Sequence, residues 1–304
     1  MTGPSAAKPF PEARPPHLPD VLTRQSPWAV VFAVIAVLEI VLAWRSWSGQ
    51  FAIPQPDEIV RLVYLLIPSA VVPLLGFVLF IRRPDARRTM PLLVFGILLI
   101  SAVTLISEFD PQVYGALIGD AGDPVDAPVL TAYIAVQSVL RVVGLLAVAA
   151  GLAAARTEAP SRLQRPLAIG LGALAGGLMV INLVAIGLFV PNMQLPAGLV
   201  GIALTLLTSL AWVYLLYTTV AGWMAEERPR RAWGLGALAI SYLIVYRLFG
   251  DVSLWFGEAA FGFSQFLAYV SFAAWLLLLV AFATGLPTPA SVGAVATRSV
   301  DAEP

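Results

Sequence analysis

Long apolar stretches recur along most of the chain, and short polar segments separate them. A helix needs about 20 apolar residues to cross the hydrocarbon core of a bilayer. Eight stretches come near this length or exceed it, which predicts an all-α integral membrane protein with eight transmembrane helices. We place the eight spans at Pro27–Trp44, Val60–Ile81, Met90–Ser107, Val129–Ala155, Pro166–Val190, Gly198–Met224, Ala232–Leu254 and Ser264–Leu286.

The segments on either side of the spans have a different composition. Residues 1–26 are rich in proline and polar side chains, and residues 287–304 are also poor in large apolar side chains. Such segments bury too little apolar surface to fold on their own. We therefore expect a disordered arm at 1–26, a transmembrane domain at 27–286 and a disordered tail at 287–304.

The charge between the spans predicts their orientation. Of the 18 basic residues, 14 lie in the arm, in the tail or in the loops after the second, fourth and sixth spans. The other loops are acidic, as in "EFD" at 108–110. Because cytoplasmic loops of membrane proteins carry the excess of Lys and Arg, both termini are predicted in the cytoplasm. The arginine- and alanine-rich composition favours a GC-rich bacterium, and hence a bacterial inner (plasma) membrane.

The residue composition excludes several kinds of chemistry. Cysteine is absent, and His17 in the arm is the only histidine. Disulfides, thiolate nucleophiles, haem ligation by histidine and Ser-His catalysis therefore lack their residues. No GxxxxGK[ST] phosphate loop is present. We expect no cofactor, no bound metal and no nucleic-acid partner.

A short sequence recurs at the start of two outward-going spans. "GLGALA" occupies Gly170–Ala175 and again Gly234–Ala239. Small residues at this spacing let transmembrane helices approach closely. The recurrence suggests four tandem helical hairpins, as in transporters with parallel repeats. Chance is the competing explanation, since Gly, Leu and Ala are abundant here.

Five spans each carry a polar or charged residue at a similar depth. Counting about 1.5 Å per helical residue from the basic loops places them roughly 22–26 Å above those loops. They are Glu39, Thr104, Arg141, Asn182 and Arg247. Gln137 lies one turn before Arg141 and shares its helix face.

A charge inside a bilayer costs about 2.5–3.5 kcal/mol on insertion scales, so pairing is expected. We predict that Glu39 pairs with Arg141 across the first and fourth spans. Arg247 and Asp251 are one turn apart in the seventh span. They either form a helix-end salt bridge at the outer surface, or Arg247 turns inward to the polar layer.

These residues have a structural and a functional interpretation. As structural groups, the ionised residues form interhelix pairs, and Asn182 and Thr104 form helix-packing hydrogen bonds. As functional groups they line a cavity, with Arg141, Arg247, Asn182, Gln137 and Thr104 binding a substrate. Trp255 belongs to a dense outer aromatic segment that is either an interfacial belt or a lid with substrate contacts.

Three classes of function fit this pattern. The first is a carrier or flippase-like transporter of a small amphipathic or lipid-like molecule, which arginines bind through an anionic head. The second is an intramembrane enzyme acting on a lipid or isoprenoid, with Glu39 or Asp251 as the catalytic acid of a terpenoid cyclase type. The third is a non-catalytic subunit of a membrane assembly. Expected partners are membrane lipids, the hydrophobic or amphipathic guest and, for the third class, another membrane protein.

Overall fold

A computed structural model describes residues 26–48, 70–107, 109, 127–156, 197–225, 229–253 and 260–287, with parts of 166–181. All regular secondary structure in these residues is helical. The helices are α1 Pro27–Ser48, α2 Ala70–Arg82, α3 Ala86–Thr89, α4 Pro91–Ser107, α5 Ala127–Ala154, α6 Ala197–Met224, α7 Arg230–Ser253 and α8 Ala260–Thr284.

The predicted spans agree with these helices. Helices α1, α4, α5, α6, α7 and α8 begin and end within four residues of six predicted spans. The described part of α2 matches the second half of its span, and residues 60–69 lie outside the described residues. The fifth span is helical at 166–167, 169–174, 177–178 and 181. The all-α prediction is therefore confirmed for the described residues.

Three of the helices are long and apolar enough to cross a membrane. Their apolar segments are Pro27–Arg45, Ala135–Ala154 and Leu206–Met224. Shorter apolar helical segments occur at Ala70–Arg82, Pro91–Ser107 and Tyr269–Thr284. Large aliphatic and aromatic side chains are also exposed on the outside of most of these helices. An apolar outer surface of this extent is typical of a protein that contacts lipid.

Helix α1 carries Glu39 on its buried side. The buried positions recur every three or four residues, the spacing of one helix face, at Ala29, Phe32, Ala36, Glu39 and Ala43. The residues between them are apolar and exposed, for example Val37 at 59%. In a soluble protein the charged residues of such a helix face outward and the apolar ones face the core. In α1 the acid is buried and large apolar residues are exposed, which suits a helix with lipid on one side.

Helices α4 and α5 make close backbone contact at glycines. A Cβ atom at Gly96 would lie 2.6 Å from the backbone nitrogen of Val148 and 2.7 Å from the carbonyl oxygen of Gly144. A Cβ atom at Gly151 would lie 2.5 Å from the backbone nitrogen of Leu93. Since real Cβ atoms do not approach backbone this closely, the contact requires glycine.

The two "GLGALA" copies lie in different surroundings. Side chains added at Gly170 and Gly172 would meet no atom within 4 Å, whereas one at Gly236 would lie 3.1 Å from the Leu286 side chain. A side chain at Gly234 would lie 3.1 Å from the ring of Trp223. At the second copy the glycines therefore pack against side chains of neighbouring segments. The close helix approach at this motif and the four-hairpin repeat stay predictions.

Several contacts bring helix ends together. The Arg82 guanidinium, at the end of α2, donates a 2.7 Å hydrogen bond to the backbone carbonyl of Phe282 in the last turn of α8. The Arg87 guanidinium of α3 lies 5.2 Å from the ring centre of Trp28, at the start of α1. The ends of α2 and α8 and the start of α1 therefore lie at the same end of the helix bundle.

The start of α7 lies at this end too. Gly285 follows α8 with a φ of 142°, and it packs so closely on Pro229, just before α7, that a Cβ atom would clash. The amides of Gly285 and Leu286 both donate to the Ala281 carbonyl and so close the last turn of α8. We name this the basic end, because the described arginines at this end are Arg82, Arg83, Arg87, Arg88, Arg156, Arg230 and Arg231.

At the basic end, Arg82 is exposed to solvent but is partly desolvated by its neighbours. Burial lowers the pKa of the Arg82 guanidinium from its ordinary value, and the charge of neighbouring Arg83 lowers it further. A guanidinium nevertheless stays protonated at any physiological pH. Arg82 therefore remains a cation at the negative end of the α8 dipole.

Candidate functional site

A cavity of about 200 Å³ lies among the helices. Helices α2, α4, α5, α6, α7 and α8 all contribute to its walls, and most of the lining is aliphatic or aromatic. The lining residues are Val72, Leu75, Ile97, Ile100, Thr104, Arg141, Leu145, Val148, Leu152, Trp212, Leu215, Thr219, Ile240, Trp275, Leu278 and Phe282.

Three of the five lining residues with polar side-chain groups lie towards one end of the cavity, whereas Thr219 and Trp275 lie nearer the basic end. Thr104 is 13 residues from Pro91 at the start of α4, and Arg141 is 13 residues from Ala154 at the end of α5. Both therefore lie about 20 Å from the basic end, and Trp212 lies about 18 Å from it by the same count along α6. We call this the polar end of the cavity. Near the basic end the lining is mostly apolar and includes Leu152 and Phe282; the Thr219 hydroxyl there is bonded to its own helix.

Among the lining residues that the structure describes, Arg141 is the one cation. It lies at the middle of α5, and its guanidinium donates a 3.5 Å hydrogen bond to the hydroxyl oxygen of Ser107, the last residue of α4. Its side chain is exposed although it lines the cavity. The lining of the cavity therefore carries a positive charge at Arg141.

The threonine hydroxyls of the lining already donate hydrogen bonds within their own helices. Thr104 donates to the Ile100 carbonyl at 3.0 Å, and Thr219 donates to the carbonyls of Leu215 and Leu216 at 3.1 and 3.0 Å. Bonds of this kind satisfy a hydroxyl within its own helix. Thr104 donates its proton within α4, and its interhelix hydrogen bond stays a prediction. Towards the cavity these hydroxyls offer only acceptor oxygens.

Trp212 contributes a donor that sequence reasoning missed. Its indole Nε1 is buried and has no hydrogen-bond acceptor among the described residues. The Trp212 side chain lines the cavity. Leaving a buried donor without an acceptor costs about 1–3 kcal/mol of folding free energy. A tryptophan in the middle of an apolar helix gives no sequence signal of this role, because indole is equally common in aromatic belts and in cores.

Glu39 is fully buried, with 0% of its surface exposed. It lies on the buried face of α1 and is not among the residues that line the cavity. The contact that the structure gives for the Arg141 guanidinium is with Ser107 of α4, not with α1. The Glu39–Arg141 pair stays a prediction.

The remaining predicted site residues are described only in part. Gln137 is half-buried on α5, one turn before Arg141. Arg247 and Asp251 lie within α7, but their side chains are outside the described part of the structure, so the direction of Arg247 stays open. Asn182 and Trp255 lie outside the described residues altogether.

The structure thus brings two of the predicted substrate-binding residues, Thr104 and Arg141, into one cavity. Among the described residues, no three acidic, histidine or cysteine side chains come together as a metal site would require. No protein-family model, no curated protein and no solved structure matches the chain.

Proposed function

We propose that this protein is a multi-pass membrane carrier, flippase-like in action, for a small amphipathic or lipid-like molecule. The observation that carries the proposal is the cavity with Arg141 at its polar end and aliphatic walls below it. Arginine suits the anionic head of such a guest, since its planar fork matches phosphate and carboxylate oxygens. The apolar walls suit the tail.

The size of the cavity limits what it encloses. A dry cavity of about 150 Å³ is known to bind benzene, which has six heavy atoms. By the same ratio, a cavity of about 200 Å³ holds about eight heavy atoms. The guest is then either a short amphipath or the head-proximal part of a longer lipid.

The membrane arrangement forms part of the proposal. Eight helices cross the plasma membrane, and both termini face the cytoplasm. The start of α1 and the end of α8 both lie at the basic end, which supports this arrangement. A chain whose first and last helices have their outer ends on the same side of a membrane crosses that membrane an even number of times. The arginines at this end favour its cytoplasmic location by the positive-inside rule.

The cavity favours a carrier over an enzyme. An acid-initiated cyclisation needs a proton donor that faces the substrate. Among the described lining residues there is a cation, two hydroxyls and two indoles, but no carboxylic acid. Glu39, buried on α1 beside the cavity helices rather than in its lining, suits a group that binds the coupling proton instead.

The test is transport of octyl phosphate into proteoliposomes, measured by filtration with and without an imposed pH gradient. Its charged head crosses lipid slowly unaided, so protein-mediated uptake is measurable above the background. We expect uptake with the native protein and at least a tenfold lower rate for Arg141→Met. Arg88→Met removes an equal charge at the basic end, outside the cavity lining, and serves as the matched control.

Glu39 gives the second arm of the same experiment. With Glu39→Gln, uptake driven by the pH gradient is lost while exchange without a gradient remains. Folded native protein that moves no anionic amphipath under either condition would refute the carrier. If Arg141→Met and Arg88→Met take up octyl phosphate at equal rates, the cavity has no part in the transport.

A further inference from the structure

We infer that Trp212 and Arg141 together hold an oxyanion head, phosphate or carboxylate, at the polar end of the cavity, with the tail directed towards the basic end. This rests on the proposed function in one respect, namely that the cavity binds an amphipathic guest. It adds a recognition residue, a charge preference and an orientation of the guest.

The donors and acceptors of the lining set the charge preference. Arg141 offers guanidinium N–H groups to the cavity. Trp212 also lines it, and its indole N–H, which is buried behind the cavity surface, has no acceptor among the described residues. The hydroxyl protons of Thr104 and Thr219 are already bonded to helix carbonyls. A guest that supplies several acceptor oxygens and a negative charge satisfies this set of donors. A cationic head meets the charge of Arg141 instead.

The heights of the lining residues set the orientation. Arg141 and Trp212 lie about 18–20 Å from the basic end, while Leu152 is two residues from the end of α5 and lies about 3 Å from it. Leu152 and Phe282 are both 2% exposed, so the lower end of the cavity is closed and mostly apolar, and the Thr219 hydroxyl near it is bonded within its own helix. The tail therefore extends down towards the basic end. With that end cytoplasmic, the guest lies as a lipid does in the outer leaflet.

A matched pair of tryptophans isolates the indole donor. Trp233 also has a buried Nε1 with no acceptor in the described part of the chain, but it packs at the start of α7 and does not line the cavity. Trp212→Phe and Trp233→Phe remove the same N–H and keep an aromatic ring. A general effect of losing a buried indole N–H would therefore affect both variants.

The experiment measures binding to full-length protein in nanodiscs of zwitterionic lipid by titration calorimetry, with empty nanodiscs subtracted. The probes are octyl phosphate, octanoate, octanol and octyltrimethylammonium. We expect at least one anion to bind about tenfold or more tightly than octanol. Trp212→Phe weakens anion binding roughly tenfold, as loss of a hydrogen bond to a charged group does. Octanol binding, and all binding to Trp233→Phe, stay unchanged.

Orientation is tested with Leu152→Phe, which shortens the lower end of the cavity. We expect weaker binding of octyl phosphate and unchanged binding of butyl phosphate, which also reports that the variant is folded. Equal weakening of both probes would overturn the orientation.

The possible failures are distinguishable. If octanol or octyltrimethylammonium binds as tightly as the anions, or if Trp212→Phe behaves like Trp233→Phe, the oxyanion site is refuted while the amphipath-binding cavity stands. If none of the four probes binds to folded protein, the proposed function fails as well. The tighter of octyl phosphate and octanoate identifies the head group.

Discussion

The contact between α4 and α5 leads to a sharp prediction about stability. Gly96→Ala adds a single methyl group whose carbon would lie 2.6 Å from the Val148 nitrogen and 2.7 Å from the Gly144 oxygen. Both atoms belong to the backbone of α5, so no side-chain rotation relieves the clash. The two helices must separate instead.

The cost follows from the geometry. The optimal distance between non-bonded heavy atoms is about 3.5–4.0 Å. To bring the new carbon to that distance from α5, the two helices must move apart by about 1 Å. Overpacking of this kind typically costs about 1–3 kcal/mol. Alanine recovers up to about 1 kcal/mol of helix propensity relative to glycine. We therefore expect Gly96→Ala to lower the free energy of unfolding by about 1–2 kcal/mol.

The matched control is Gly172→Ala, in the first "GLGALA" copy. A Cβ atom there meets nothing within 4 Å, and the position is helical and exposed. Only the gain in helix propensity applies, so this variant is expected to be as stable as the native protein or slightly more stable. Unfolding by added denaturing detergent, followed by circular dichroism, compares the two variants. The reasoning fails if Gly96→Ala is as stable as Gly172→Ala.

Three further predictions test α1, the basic end and the topology. Ala36→Leu fills a position on the buried face of α1 that is 3% exposed, so it should destabilise the fold by about 1–3 kcal/mol; the same assay should detect no comparable loss for the neighbouring Val37→Leu, at 59% exposure. Arg82→Met removes the 2.7 Å hydrogen bond to the end of α8 and should lower the free energy of unfolding by about 1 kcal/mol, which lowers the midpoint of thermal unfolding. An unchanged midpoint would mean that this hydrogen bond does not stabilise the fold. Because the chain has no cysteine, Asp85→Cys and Asp123→Cys each give a single labelling site for an impermeant maleimide, and labelling of both from the same side of intact cells would contradict the proposed topology.

Counting along the helices predicts that Thr104 and Arg141 lie at a similar height, because a helix rises by a fixed amount per residue. The structure brings both residues into the lining of one cavity. Their depth in a bilayer stays a prediction. Helix positions were predictable for a related reason, since long apolar runs in a membrane chain have few alternatives to helix.

For the described residues, the sequence alone therefore determined that the chain is helical and where six of its helices begin and end, to within four residues. Only the tertiary structure decided which way the side chains face across the bundle: Arg141 towards Ser107, Trp212 into the cavity, and Gly96 rather than Gly172 at a helix contact. The reason is that lipid and protein core are about equally apolar. An apolar residue is then compatible with either side, and the facing of a helix depends on packing with neighbours far away in the chain.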